Sequence, residues 1–319
     1  MPTPIAVTAD NFARAETDMY FGLFVSRGAL GRFYHYRQLP PLEGTGVRPK
    51  RDTLYSEAVF DLDAGPVTIT LPDPGDRFFS IIVIDQDHYV ATVAYGAGSH
   101  TLTRDDIGTR YVFAAVRALI DPADPGDLDQ VHALQDAITV NQANRGSFKA
   151  PNWDPESQKK VRDALMSLAS TLPDLRGGGG SRDEVDPVRH LIATASGWGL
   201  NPDKNAVYLN VTPTSNDGSG IYRLTVEDVP VDGFWSISVY DAAGHFVKND
   251  LDAYALNNIT AQRDPDGSVT VQFGGCDGQQ ANCLPIFPGW NYMVRLYQPR
   301  PEILNGRWSF PEAKLAQDT

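Results

Sequence analysis

Residues 74–85 read Pro-Gly-Asp-Arg-Phe-Phe-Ser-Ile-Ile-Val-Ile-Asp, and residues 230–241 read Pro-Val-Asp-Gly-Phe-Trp-Ser-Ile-Ser-Val-Tyr-Asp, so one pattern occurs twice in the chain. A histidine follows each copy, His88 after the first and His245 after the second. A match over so long a period indicates two copies of one fold rather than a solenoid. We therefore predict two domains related by internal duplication.

The pattern of the first copy is typical of antiparallel β structure. Val67, Ile69 and Leu71 alternate with polar residues, as in a half-buried strand, and residues 78–84 form a nearly unbroken apolar run, as in a strand buried on both faces. Arg117 and Arg295 hold equivalent positions in later strands, which favours a structural role for both. The predicted fold class is mainly β, with two tandem antiparallel β-sandwich or jelly-roll-like domains.

Composition and helix signals give the predicted boundaries. Residues 1–125 are an N-terminal helix with the first sandwich, residues 126–200 are a helical bridge, and residues 201–319 are the second sandwich. The helices of the bridge are expected from their starting signals, which are Asp127, Asp154-Pro155 and Asp186-Pro187. Gly177–Gly180 are four consecutive glycines in this bridge, and we expect a mobile loop there.

Charge and composition exclude several functional classes. The 319-residue chain has 42% hydrophobic residues and a formal net charge of −13, which argues against a nucleic-acid partner. No apolar stretch approaches the roughly 20 residues of a membrane helix. The first ten residues have neither a basic segment nor an apolar core, so we expect a cytoplasmic protein. The oligomeric state is open. Cys276 and Cys283 are expected either to form a disulfide or to be two buried thiols.

Three polar segments of the first copy carry the candidate catalytic residues. They lie after the first helix, at the entrance of the first strand and after the buried strand; the candidates are His35, Asp52, Tyr55, Asp87 and His88. A carboxylate beside an imidazole is a plausible acid–base pair. His35, Asp87 and His88 could instead hold a divalent metal, although no cofactor motif is evident. The alternative is structural: Asp85, like Asp241, would bond turn amides, and Arg51, Asp52 and Tyr55 would form a network that fixes the strand register.

Candidate ligand-binding residues occur in both copies. Arg37 and Arg51 accompany the catalytic candidates, and the second copy contributes Trp235, Asn257 and Asn258. Aromatic rings with amides bind sugars and other neutral polar molecules, although a sandwich core also contains buried aromatic residues. Consecutive amides in a loop rarely serve packing, so Asn257 and Asn258 are the clearer candidates.

Long motifs in both halves resemble known families. Lys50-Arg51-Asp52-Thr53-Leu54-Tyr55-Ser56 and residues 61–67 resemble domain of unknown function 1254. Residues 198–202, 234–241, 266–268 and 295–299 resemble its usual C-terminal companion, domain of unknown function 1214. The resemblance implies two jelly-roll-like domains joined by helices, and it implies little chemistry. The chain departs from the family pattern at Lys50, where Asn is usual, and at the four glycines, where Met-Phe-Gly is usual.

Two functions follow as expectations. The first is a hydrolase or lyase that acts on a small polar or glycosidic substrate in a cleft of the N-terminal domain. The second is a non-catalytic protein that binds a carbohydrate or another small molecule through its second domain.

Overall fold

The chain folds into two compact units, and neither unit is a continuous piece of sequence. The computed structural model describes residues 3–42, 47–122 and 124–316. The first unit comprises Met1–Arg37, Leu54–Leu119 and Gly126–Asp203, and the second comprises Gln38–Thr53, Ile120–Pro125 and Lys204–Thr319. This division differs from the predicted one, because the helices after residue 126 belong to the first unit and an early segment belongs to the second.

The first unit combines two sheets with helices. In chain order its elements are α1 (Phe12–Ser26), β1 (Tyr34–His35), β2 (Thr53–Asp61), β3 (Val67–Leu71), β4 (Phe79–Asp85), β5 (Val90–Tyr95), β6 (Gly98–Leu102), α2 (Arg104–Ile107), β7 (Tyr111–Leu119), α3 (Pro125–Asp136), β8 (Thr139–Asn141), α4 (Pro155–Ala169) and α5 (Pro187–Ser196). The strands form a five-stranded sheet in the order β1-β2-β7-β4-β5 and a three-stranded sheet in the order β6-β3-β8. The pairs β1-β2, β4-β5, β4-β7, β3-β6 and β3-β8 are antiparallel.

Helix α1 covers one face of the five-stranded sheet. Phe21 and Phe24 of the helix pack with Ile82, Ile84 and Phe113 of the sheet. Burying aromatic and branched side chains in this way contributes about 1.5–3 kcal/mol for each. Helices α4 and α5 pack in turn on α1, and both begin at the predicted Asp-Pro signals, where the aspartate accepts hydrogen bonds from backbone amides of the first turn.

The second unit is a sandwich of two sheets. Its elements are β9 (Ala206–Val211), β10 (Tyr222–Val226), β11 (Trp235–Tyr240), β12 (Ala255–Asn257), β13 (Val269–Phe273), β14 (Cys283–Leu284), β15 (Asn291–Tyr297), α6 (Pro301–Leu304) and β16 (Lys314–Leu315). The sheet orders are β12-β11-β15-β9 and β14-β13-β10-β16. Side chains from both sheets share one core, which includes Leu224, Ile237, Val271 and Val294. The mainly β fold with antiparallel sheets confirms the predicted class. Within the described residues, no helix is long and apolar enough to cross a bilayer.

The repeated segments occupy matching places in the two units. Strand β4 lies between β5 and β7 with Ser80 opposite Arg117, and β11 lies between β12 and β15 with Ser236 opposite Arg295. The loops that follow also match. Asp85 accepts hydrogen bonds from the backbone N–H groups of residues 87 and 89, and Asp241 accepts them from those of residues 243 and 245. The structural alternative for Asp85 is thereby confirmed.

The histidines after the two strands are not equivalent. The N–H of His88 donates to the carbonyl of Asp85, and the N–H of Gly244 makes the same bond to Asp241. Both residues have a left-handed backbone, with φ of 69° for His88 and 85° for Gly244. His88 therefore corresponds to Gly244 rather than to His245.

Both ring nitrogens of His88 are used inside the first unit. The Thr194 hydroxyl donates to the carbonyl of His190, so it accepts the Nδ1–H of His88 at 2.9 Å, and Nε2 of His88 accepts the N–H of Gly199 at 2.8 Å. The imidazole also stacks between His190 and Trp198. Burial lowers the pKa of His88 to about 3, so the ring is neutral at physiological pH.

The four glycines are packed, and the prediction of a mobile loop was wrong. Gly178, Gly179 and Gly180 are buried, and the carbonyl of Gly180 accepts the N–H of Val90 at 2.8 Å. A Cβ added at Gly179 would lie 2.7 Å from the carbonyl oxygen of Asn201, which is backbone and cannot rotate away. Glycine is required here because another segment of main chain passes too close for a side chain.

Substitution of Gly179 by Ala is expected to lower the free energy of unfolding by about 2 kcal/mol, because overpacking against backbone forces the chain to shift. The matched control is Gly98→Ala, since an added Cβ there meets only the ring of His100 at 3.6 Å. Urea unfolding of both variants gives the comparison. Equal midpoints would show that the glycine loop is not close-packed.

Substitution of His88 by Ala should destabilise the protein by about 3 kcal/mol at pH 7.5, since it opens a cavity and leaves the Gly199 N–H without its acceptor. His245→Ala, at a half-buried residue whose side chain is 45% exposed, should change stability by less than about 0.5 kcal/mol. The wild-type protein's advantage in free energy of unfolding over His88→Ala should shrink by about 2 kcal/mol when the pH is lowered from 6.5 to 4.5. Its sign follows from the low pKa of His88, because the unfolded chain takes up a proton in this range and the folded protein does not. A constant difference across this range would contradict a neutral, buried His88.

Candidate functional site

Buried polar side chains line the face of the β12-β11-β15-β9 sheet that points away from the sandwich core. Trp235, Ile237 and Val239 of β11 are in the core, so Ser236, Ser238 and Tyr240 lie on the opposite face. The strand register places Ser236 opposite Asn257 of β12 on one side and opposite Arg295 of β15 on the other. We call this surface the polar face.

Arg295 is the central charge of the polar face. Its side chain is 3% exposed. Its guanidinium donates to the Ser238 hydroxyl at 3.1 Å, to the Tyr240 hydroxyl at 2.8 Å and to the carbonyl of Arg48 at 2.9 Å. Burial opposes this charge, but Tyr240, Tyr297 and Asp52 more than offset the effect, so the pKa of Arg295 lies above its usual value. The group is therefore a permanent buried cation.

Residues 47–53 cover the polar face through polar contacts. The N–H of Arg48 donates to the carbonyl of Gly244 at 2.7 Å, and the Tyr240 hydroxyl donates to the carbonyl of Pro49 at 2.5 Å. The Lys50 ammonium donates to the Tyr297 hydroxyl at 2.8 Å. The guanidinium of Arg48 lies 5.6 Å from the centre of the Tyr240 ring. These bonds hold cationic side chains of the segment against the sheet.

Asp52 and Asn257 meet on the polar face. Asn257 is held by its own turn, where its side-chain oxygen accepts the N–H groups of Ile259 and Thr260, both at 3.0 Å. That arrangement aims its amide N–H at the Oδ1 atom of Asp52, at 3.0 Å. A predicted catalytic residue and a predicted ligand-binding residue are thus joined. Their juxtaposition depends on contacts 205 positions apart in sequence.

Several buried polar atoms of this region have no hydrogen-bond partner among the described residues. They are Oδ2 of Asp52, Oγ of Ser236, Nη1 of Arg48 and Oδ1 of Asn258. Ser236 lies close enough to Asp52 to favour the charged carboxylate, but its hydroxyl makes no hydrogen bond of ordinary geometry. Because a buried polar atom without a partner costs about 1–3 kcal/mol, such a cluster requires an explanation, and a bound molecule is one.

Burial raises the pKa of Asp52 above its ordinary value, and the hydrogen bond from Asn257 and the charge of Arg295 offset this only in part. Burial also lowers the pKa of Arg48. Tyr240 counteracts this effect, and the charge of Arg295 adds a smaller lowering. The polar face therefore contains an acid–base group and two neighbouring guanidinium cations.

The remaining catalytic candidates lie in the first unit, in separate networks. The ring of His35 bonds to the Ser56 hydroxyl at 2.7 Å, and the Tyr55 hydroxyl accepts from Arg117 at 3.1 Å. Asp87 pairs with Arg14 at 2.7 Å, near the surface. His88 is enclosed, as described above. Asp52 and His88 are thus each held in a network of their own, in different units.

The other ligand-binding candidates lie in different environments. Arg37 bonds to Gln135 of α3 and pairs with Asp136. Arg51 donates to the carbonyl of Pro40 at 2.8 Å, and its guanidinium lies over the Tyr254 ring. Trp235 is 5% exposed and packs in the sandwich core, because its position in β11 alternates with the polar face. Asn258 contributes a buried, unpartnered oxygen.

Sequence reasoning missed three residues of interest. Arg48 and Ser236 belong to the polar face, and only the alternation of Ser236 with apolar neighbours in β11 could have indicated it. Glu57 of β2 lies in the first unit beside Tyr36, and burial raises the pKa of Glu57 to about 7. Its Oε2 atom is buried without a partner. A glutamate in the middle of a strand gives no sequence signal of this kind.

A metal site of the usual kind is not formed by the described part of the chain. No group of three or more His, Cys, Asp and Glu side chains is placed there to hold an ion. The set of His35, Asp87 and His88 does not come together as such a group, since each has different neighbours.

Comparisons with known proteins agree with the observed fold. The crystal structure of the VPA0106 protein from Vibrio parahaemolyticus superposes with a TM-score of 0.73 at 17% identity, covering 96% of this chain and 98% of that one. An uncharacterised protein from Burkholderia cenocepacia superposes with a TM-score of 0.56 at 13% identity, covering 97% and 89%. At these identities the likeness concerns the fold alone. No curated protein matches the chain.

Family models match both halves. Residues 30–106 match the model described as Protein of unknown function (DUF1254), and residues 206–301 match the one described as Protein of unknown function (DUF1214). The second match includes β11, β12 and most of the polar face. The two matches lie in the N- to C-terminal order that the motifs predicted.

Proposed function

We propose that the second unit binds a small polar molecule at its polar face, beneath residues 47–53. The observation that carries this proposal is the pair of buried, unpartnered atoms Oδ2 of Asp52 and Oγ of Ser236 on one face. A ligand hydroxyl could donate to the carboxylate and accept from the serine, which would satisfy both atoms. The geometry thus favours a binding protein over the hydrolase or lyase site expected in the N-terminal domain.

A ligand screen by thermal unfolding tests the proposal. The panel contains sugars, sugar acids and small hydroxy acids. Because a ligand at 100 times its Kd stabilises the folded state by about 2.7 kcal/mol, a true ligand raises the melting temperature in a concentration-dependent way. Ser236→Ala should abolish the shift, and Ser99→Ala, on β6 of the first unit, should leave it unchanged. A shift that survives Ser236→Ala would place the ligand elsewhere.

Asp52→Asn should weaken ligand binding at least about 10-fold while leaving the free energy of unfolding unchanged or raised, because the charge of Asp52 is buried and incompletely bonded. The control is Asp61, which is equally buried but accepts two hydrogen bonds from Arg110 at 2.9 and 2.8 Å. Asp61→Asn should cost about 2 kcal/mol and leave binding intact. A loss of stability in Asp52→Asn like that in Asp61→Asn would assign Asp52 a structural role.

A second candidate function is acid–base catalysis in the first unit, as a hydrolase or lyase. It is favoured by Glu57, whose pKa is raised to about 7 by burial and whose neighbour Tyr36 accepts a hydrogen bond from Arg27 at 2.6 Å. A carboxylate that titrates near neutral pH is suited to proton transfer.

Turnover of the same panel between pH 5 and 9 tests this candidate. If Glu57 is a general base, the rate should rise through an apparent pKa near 7, and Glu57→Gln should abolish it while the exposed variant Glu156→Gln does not. Binding without any turnover would reject catalysis and leave the binding module.

The cytoplasmic location stays a prediction, and one feature weighs against it. Cys276 and Cys283 are joined by a disulfide across a separation of 7 residues. Disulfides persist mainly in oxidising compartments. Alkylation of free thiols in intact cells, followed by mass spectrometry, would show whether the bridge forms where the protein resides.

A further inference from the structure

The guanidinium groups of Arg48 and Arg295 lie 5.6 and 5.8 Å from the centre of the Tyr240 ring, and no carboxylate of the described residues bonds to either group. The three hydrogen bonds of Arg295 end on uncharged oxygens, those of Ser238, Tyr240 and the Arg48 main chain. Among the described residues, the buried Nη1 atom of Arg48 has no hydrogen-bond partner. Burial lowers the pKa of Arg48, Tyr240 counteracts this, and the charge of Arg295 adds a smaller lowering. Arg48 as a whole is half-buried, but a buried guanidinium N–H without an acceptor is costly, so this atom calls for an acceptor from a bound molecule.

The main chain at Arg48 supports a binding role. Arg48 has φ of 54°, a left-handed conformation that non-glycine residues rarely adopt. The hydrogen bonds from its N–H to Gly244 and from Arg295 to its carbonyl hold it there. Such strain persists where the surrounding structure fixes it, and it is common at sites that clamp ligands.

The local charge contrasts with that of the whole protein. The chain has a net charge of −13, yet Arg48, Lys50 and Arg295 contact the same sheet face. Asp52 supplies a carboxylate that acts on Arg295 there. A cationic enclosure in an acidic protein concentrates an anionic ligand at one place and disfavours its binding elsewhere.

We propose that the ligand of the polar face is a small hydroxy acid or sugar acid, whose carboxylate binds Arg48 and whose hydroxyl group binds Asp52 and Ser236. This inference rests on the proposed function of the second unit. A guanidinium matches the planar carboxylate with two parallel hydrogen bonds. Asp52 sets the other requirements on the ligand. Its negative charge requires a hydrogen-bond donor from the ligand, and it repels a dianion such as phosphate.

Pairs of ligands that differ only in whether they contain a carboxylate test the inference that the site binds an anion. The probes are glucuronate against glucose and lactate against propane-1,2-diol, with inorganic phosphate as a third class, titrated calorimetrically into the full chain. Each acid is expected to bind at least about 10-fold more tightly than its neutral partner, and its advantage should fall as sodium chloride is raised. Phosphate is expected to bind more weakly than the acids.

Arg48→Gln tests the residue. It keeps the main-chain carbonyl that Arg295 uses and removes the guanidinium, so it should reduce affinity for the acids about 10-fold or more and leave the neutral partners unaffected. Arg223→Gln makes the same charge change on β10 of the other sheet, where Arg223 bonds to Gln272, and should have no effect. Arg48→Lys, which keeps the charge without the fork, should be intermediate. Unfolding midpoints establish that each variant is folded.

The outcomes separate the two proposals. Equal binding of acids and neutral partners, sensitive to Ser236→Ala, would overturn the charge inference and leave the binding site in place. Tighter binding of phosphate than of both acids would also overturn it. No binding of any probe, in protein whose unfolding midpoint is normal, would reject the binding function together with its ligand class.

Discussion

The second unit depends on keeping one guanidinium charge inside the protein. Arg295 is nearly inaccessible to solvent, so its N–H groups must find oxygens within reach. They find them on Ser238 and Tyr240 of the neighbouring strand and on the main chain of Arg48. The last of these bonds brings a distant segment across the sheet. A polar requirement at one position therefore decides which part of the chain covers this face.

The equivalent sheet faces of the two units are covered by different kinds of side chain. Arg117 takes the place of Arg295 in the first unit, opposite Ser80, and it bonds to the hydroxyl of Tyr55. The sheet face there is filled by Phe21 and Phe24 of helix α1, as in an ordinary hydrophobic core. One copy of the strand pattern thus supports an apolar interface, and the other supports a polar enclosure with unpartnered atoms.

The sequence predicted what depends on local pattern. The strands at residues 78–85 and 234–241, the helix starts at Asp154 and Asp186, and the turn role of Asp85 all follow from periodicity and from hydrogen bonding between near neighbours. The failures concern contacts between distant parts of the chain. Nothing adjacent to Gly179 indicates the main chain at Asn201 that excludes a side chain.

The site was predicted only in part, because it too depends on contacts between distant parts of the chain. Asp52 and Asn257 were each selected by residue type, but their meeting across the fold has no sequence signal. Trp235 was selected as a ligand contact, but it lies in the core. Side chains of a strand alternate between its two faces, and the sequence does not say which alternate set faces the core until one core residue is known. His88 drew attention as a titratable group, whereas its hydrogen bonds and burial hold it neutral.

The second unit is built from separate pieces of the sequence, and this has a consequence for biosynthesis. Lys50 and Arg48 bond to residues 247 positions later, so residues 47–53 leave the ribosome long before the sheet that receives them exists. At about 5–20 residues per second, that delay is on the order of ten seconds or more. Closing so long a loop is slow, and cationic side chains on the waiting segment keep it hydrated meanwhile.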